Sequence, residues 1–151
     1  MYANIPSLDL RQALRLLGIL ISFSIMPKYK LVFFTPRAST QTILQHLFSR
    51  FPNHVGRIGA YGGCAFVTPG TGQFLPLEGA KPVIGTVGKP ERVEEDRVEV
   101  LVLGAGGGGS ISGDTPSQSD TGVDVKSVVQ ELKKVHPYEE VAYDVYRLED
   151  F

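Results

Sequence analysis

The residues of this chain best equipped for chemistry lie in two places, the run His136-Pro137-Tyr138-Glu139-Glu140 and a stretch from Gly56 to Gly72. Imidazole and carboxylates suit a divalent ion, which makes His136 and Glu139 candidate metal ligands. The same run has a plainer use, because a histidine near a helix C-terminus interacts favourably with the helix dipole and Pro137 must end the helix. Glu139 and Glu140 stand at the mouth of a strand and point to opposite faces, so only a bulge would let both face one site. The spacing therefore favours capping and strand entry over a metal centre.

The second stretch holds six glycines with Tyr61, Cys64 and Phe66 between them. Such a density lets backbone approach a neighbour or a ligand closely. Its candidate ligand-binding residues are Gly59, Tyr61, Cys64, Gly70 and Gly72, with Tyr138 joining from the C-terminal run. The alternative is a pair of tight turns and a bulge that lay a long strand-two hairpin across a subunit boundary. Arg57 is the only basic residue there, which favours the turns over an anion nest.

Other chemical groups signal less. Cys64 sits between glycine and apolar residues with no basic neighbour, which reads as a core thiol rather than a nucleophile. The run Glu91, Glu94, Glu95, Asp96 and Glu99, mixed with Arg92 and Arg97, reads as a solvated face. His54, in a loop, reads as solvated. Gly104-Ala105-Gly106-Gly107-Gly108-Gly109 satisfies G-x-G-x-x-G, but the breaker-rich segment from Ser110 to Gly122 stands where the pyrophosphate-binding helix would have to open. No dinucleotide cofactor is expected, and residues 104–122 read as a flexible insertion. A divalent metal remains an open possibility, and no catalytic residue can be named.

Composition narrows the classes. The chain has 151 residues, a net charge of −1 and one cysteine. That length suits one domain. The charge leaves no footprint for nucleic acid, and a lone cysteine with three scattered histidines cannot make a disulfide or a familiar zinc site. Leu14 to Met26 is mostly apolar yet shorter than the roughly 20 residues a spanning helix needs, so no membrane partner is expected. Residues 1–27 read as an extension outside the fold, with a mitochondrial presequence as the alternative to a cytoplasmic protein.

The elements that must position these groups follow from periodicity. Lys30 to Thr35 is a β-branched and aromatic run that Pro36 stops, and Cys64 to Thr68 is a second strand before Pro69-Gly70. Arg97 to Leu103 turns continuously apolar and reads as the best buried strand, and Val141 to Tyr146 supplies a fourth. Ile43, Leu44, Leu47, Phe48 and Phe51 make one helical stripe, which Ser39 or Thr40 would cap. Val123, Val125, Val128, Val129, Leu132 and Val135 make another. The order βαββαβ predicts an α+β, ferredoxin-like antiparallel sheet with two helices on one face. Its bare face calls for cover, for which a second copy of the chain is the common solution.

From about Lys28 to Phe151 these spaced motifs, with Gly79-Ala80-Lys81-Pro82, Gly85-Thr86-Val87-Gly88-Lys89 and the His136 to Tyr146 run, resemble the PII-like, CutA-like domain of the Nif-three-like (NGG-one-interacting factor three) family. The resemblance implies a PII/CutA-like fold over 28–151, a homo-oligomer that could be a trimer, and a regulatory or ligand-sensing role that could involve a protein partner. Full-length members carry a dinuclear metal centre in outer halves that have no counterpart here, so the family's hydrolase assignments do not follow. The competing expectation is a small metal-binding protein or metal-dependent hydrolase using His136 and Glu139 at a subunit interface.

Overall fold

The computed structural model describes residues 26–105 and 122–151. Within them β1 (Lys28–Pro36) leads through a 3₁₀ turn (Arg37–Ser39) into α1 (Thr40–Arg50). There follow β2 (Ala65–Phe74), β3 (Glu91–Leu103), α2 (Val125–Val135) and β4 (Tyr143–Leu148). The strands form one antiparallel sheet in the order β2-β3-β1-β4, so the first strand sits inside, paired on both sides. This is the expected ferredoxin-like order.

Alternation divides the central strands between two faces. Leu31 and Phe33 lie opposite Val100 and Val98, and all four are buried against Ile43, Leu44 and Leu47 of α1 and Val128 and Leu132 of α2. Each such side chain contributes roughly 1.5–3 kcal/mol through burial, so this layer carries most of the hydrophobic stabilisation. The opposite face carries Lys30, Val32 and Phe34, with Glu99 and Arg97 beside them on β3. Glu99 pairs there with both Lys30 and Arg97. Phe66 on β2 and Tyr146 on β4 stand on the same face and are mostly exposed.

The helix ends are capped unequally. Asp124 accepts from the Lys126 amide at 3.1 Å and so caps α2. That starts the helix two residues later than its apolar stripe, because Val123 instead bridges to Gly104 beside β3. At α1 neither expected residue caps. Ser39 makes no side-chain cap, and Thr40 donates its hydroxyl to Asp96 Oδ2 at 2.8 Å, tying the helix start to β3.

Three expectations need correction. β2 does not stop before Pro69, which pairs with Asp96 in mid-strand. Proline cannot donate to a ladder, but β2 is an edge strand and tolerates it. The acidic run is not a solvated face: β3 begins at Glu91, and Glu95 and Asp96 are both 9% exposed. Cys64 lies just before β2, half-buried and outside the core cluster. The insertion predicted at 104–122 falls largely outside the described residues, as does the extension before Met26.

Candidate functional site

The site is organised by the end of α2. The His136 amide closes the helix on the Leu132 carbonyl at 3.0 Å, after which His136 takes an extended conformation and Pro137 prevents further turns. The His136 ring then turns inward, only 7% exposed. Its Nε2 lies 2.9 Å from the Phe34 carbonyl, and its Nδ1 accepts from the Tyr138 amide at 3.1 Å. These partners fix the neutral tautomer with the proton on Nε2. Burial, which outweighs the Phe34 carbonyl and the Glu95 charge, lowers its pKa below the usual 6.5. Both ring nitrogens thus serve the backbone, which leaves no lone pair for a metal.

Phe34 is held from both sides, since its amide also donates to the Ala142 carbonyl at 3.2 Å. This fixes the turn against the end of β1 and sets Tyr138 in place. The Tyr138 ring meets the His136 ring edge-on at 5.3 Å and lies 6.2 Å from the Phe74 ring. Its hydroxyl is buried without a hydrogen-bond partner among the described residues. Burial, and secondarily the Glu95 carboxylate, raise its pKa, so the phenol keeps its proton at any physiological pH. The Glu95 carboxylate lies close enough to act on this hydroxyl through hydrogen bonding as well as charge, although the pair falls short of full hydrogen-bond geometry.

Glu95 comes from β3, where Gly70 of β2 lies opposite it. Gly72 makes room for its carboxylate: a Cβ at that position would overlap the Glu95 carboxyl group. The connection between β2 and β3 folds back over this end, with the Gly88 amide donating to Pro76 O at 2.8 Å. The Lys81 amide donates to Glu139 Oε1 at 2.9 Å and joins that connection to the turn. Together they enclose a cavity of about 300 Å³. Phe34, Phe74, Pro76, Pro82, Val83 and Ile84 give it apolar walls, and Glu95, Tyr138, Glu139 and Glu140 supply acidic and hydroxyl groups.

Of the residues singled out in the sequence, Gly72, Tyr138 and Glu139 line the cavity, and His136 stands behind Tyr138. Gly59, Tyr61, Cys64 and Gly70 are not among its walls. The glycines before β2 make tight turns, with φ of 66° at Gly56, 56° at Gly59 and 67° at Gly63. Gly56 also permits a close approach, since a Cβ there would lie 2.5 Å from the Phe48 ring. Among the described residues no three His, Cys, Asp or Glu side chains are grouped to hold a metal ion. Nor is any helix long and apolar enough to cross a membrane.

Sequence reasoning missed Glu95 and Phe34. The signal for Glu95 was present: three consecutive acidic residues, Glu94-Glu95-Asp96, cannot all face solvent in a strand whose side chains alternate. For Phe34, adjacent phenylalanines in an interior strand must serve opposite faces, only one of which the helices cover.

No family model matches the chain. It is 36% identical over 123 residues to the GTP cyclohydrolase 1 type 2 homolog of Bacillus subtilis (strain 168), covering 82% of this chain and 27% of that protein. To the protein of that name from Mycobacterium tuberculosis it is 35% identical over 119 residues, covering 79% and 26%. Among solved structures, a Bacillus cereus protein related to NIF3 superposes with a TM-score of 0.56 at 32% identity, over 83% of this chain and 26% of that one. The chain spans about a quarter of the length of these relatives. With the βαββαβ order and its interior first strand, these matches place the chain in the NIF3 family.

Proposed function

We propose that this chain is a regulatory or ligand-binding module that self-associates, acting in the cytoplasm and without a catalytic centre of its own. The observation that supports it best is the cavity at the Glu95 end of the sheet. It has apolar walls, a few convergent polar groups and a buried carboxyl, the usual composition of a small-molecule site. No nucleophile paired with a base lines it. The relatives are named as cyclohydrolase homologs, but three quarters of their length lies outside the match, so that activity is not proposed for this chain.

Self-association rests on the helix-free face. Phe66 is 68% exposed and Tyr146 51% exposed there, beside the Lys30, Glu99 and Arg97 charges. A second copy would cover this mixed surface, in keeping with the habit of sheets left bare on one side.

Two measurements on the full chain test the reading. Light scattering should give a mass of more than one subunit. A thermal-shift screen against nucleotides, divalent metals and small metabolites should find a stabilising ligand, because binding to the native state raises apparent stability by mass action. A monomer that no ligand stabilises would remove the proposal.

A further inference from the structure

The cavity has an unbalanced electrostatic character. Three carboxyl groups, from Glu95, Glu139 and Glu140, stand among its walls, and among the described residues no Lys, Arg or His does. Glu139 and Glu140 are exposed at the turn and are ordinarily solvated. Glu95 is different: only 9% exposed, it forms no ion pair within the described residues, yet it lines the cavity. A buried carboxylate without a cation is costly unless something compensates it. Beside it the Tyr138 hydroxyl is also buried, near enough to feel the carboxylate but without a hydrogen bond of full geometry. The fold keeps the space for this pair, since any side chain at Gly72 would displace the Glu95 carboxylate.

From this we infer that the cavity receives a small organic cation, an amine or guanidinium on an apolar body, with its charged group on Glu95 and its body between Phe34, Phe74 and the Pro76 to Ile84 connection. The Tyr138 hydroxyl is an additional acceptor for such a group. Phosphates and carboxylates would meet the three acidic groups without a counter-charge. This inference rests on reading the chain as a ligand-binding module, and it names the ligand class.

Calorimetric titration of the full chain with matched probes tests it. Tyramine, its neutral counterpart tyrosol and its acidic counterpart 3-(4-hydroxyphenyl)propionate share one aromatic body, and agmatine adds an aliphatic cation. Tyramine or agmatine should bind. Tyrosol should bind at least about tenfold more weakly than tyramine, the increment expected of a charge-assisted hydrogen bond, and the acid weakest of all. Glu95→Gln should abolish the preference for tyramine over tyrosol, and Gly72→Ala should weaken tyramine by displacing the carboxylate.

The ranking on the unaltered chain needs no variant, so a misfolded substitution would not spare the idea. Equal affinity for tyramine and tyrosol, an acid that binds as tightly as tyrosol, unchanged tyramine affinity in Glu95→Gln, or no binding of either cation at millimolar concentration would each overturn it. If a nucleotide binds where the cations do not, the cation inference fails and the module survives. If the oligomer dissociates in Glu95→Gln and no cation binds, the occupant is a basic side chain of a second copy, and the inference again fails. A monomer that binds nothing removes both readings.

Discussion

Asp96 and Glu95 are neighbours in one strand, carry the same group and are equally buried, at 9% exposure each. They differ in what meets them. Asp96 faces the helices, accepts from the Thr40 hydroxyl at 2.8 Å and has Arg37 Nε at 3.7 Å. Glu95 faces the cavity with no cation beside it among the described residues. One carboxylate is a fastener between β3 and the start of α1, and the other is held ready by its surroundings without being used by them. Burial alone therefore does not tell a structural acid from a binding one; the partners do.

Substitutions can break this contrast in order of size. The largest effect should come from the layer that Asp96 borders: Phe33→Ala removes a fully buried ring between sheet and helices and should cost about 3–5 kcal/mol in denaturant unfolding. Asp96→Ala should cost about 1–3 kcal/mol, because it leaves the buried Thr40 hydroxyl unsatisfied and frees the start of α1. Much of that loss should vanish when Thr40→Ala is already present. Glu95→Gln should be neutral or slightly stabilising, on the order of 0 to 1 kcal/mol, because it removes a buried charge without a counter-ion. A loss like that of Asp96→Ala would erase the distinction between the two acids.

A pH titration sharpens the comparison from the side of His136. Its folded pKa lies below 6.5 because burial disfavours the imidazolium, so it folds neutral and the unfolded chain takes up the proton first. Its contribution is complete above about pH 6.5, the unfolded value, and declines as pH falls through the lower folded value. His136→Gln should flatten this part of the stability profile. Glu131 works in the same sense at lower pH: Lys134 and then His46 hold its carboxyl at about 2. The part of stability it supplies is present above the unfolded carboxylate value and is lost only as pH falls toward 2. Glu131→Gln should lower stability by a constant amount across neutral pH, where the slope stays unchanged, and should flatten the fall in acid.

Much of the architecture could be read before any coordinates. The stripes of Ile43, Leu44 and Leu47 and of Val128 and Leu132 do face the core, because helical periodicity reports burial directly. Two parts of the sheet escaped. Pro69 suggested a stop, since position in a sheet decides whether a missing N–H matters, and a sequence does not display which strand is an edge. The acidic residues of β3 were assigned to solvent by their charge, although alternation had to turn one of them inward. At the site, Tyr138 and Gly72 were singled out as ligand residues and do line the cavity. The connection from Leu75 to Pro90, noted in the sequence only for its Gly79 to Pro82 and Gly85 to Lys89 motifs, completes it through backbone amides that reach Pro76 and Glu139, contacts that have no sequence signature.

The interior place of β1 also sets the order of events in folding. Thr35 pairs with Asp96, and Lys28 pairs with both Leu103 and Leu148, so the first strand waits for partners from the middle and the end of the chain. Contacts of such long separation must offset loop closure before they stabilise anything, which makes this topology slow to assemble. During synthesis the apolar strand Leu31-Val32-Phe33-Phe34 leaves the ribosome well before β4 exists to flank it. The interval in which that strand is unpaired is when this protein is most exposed to aggregation, and when a chaperone would have the most to do.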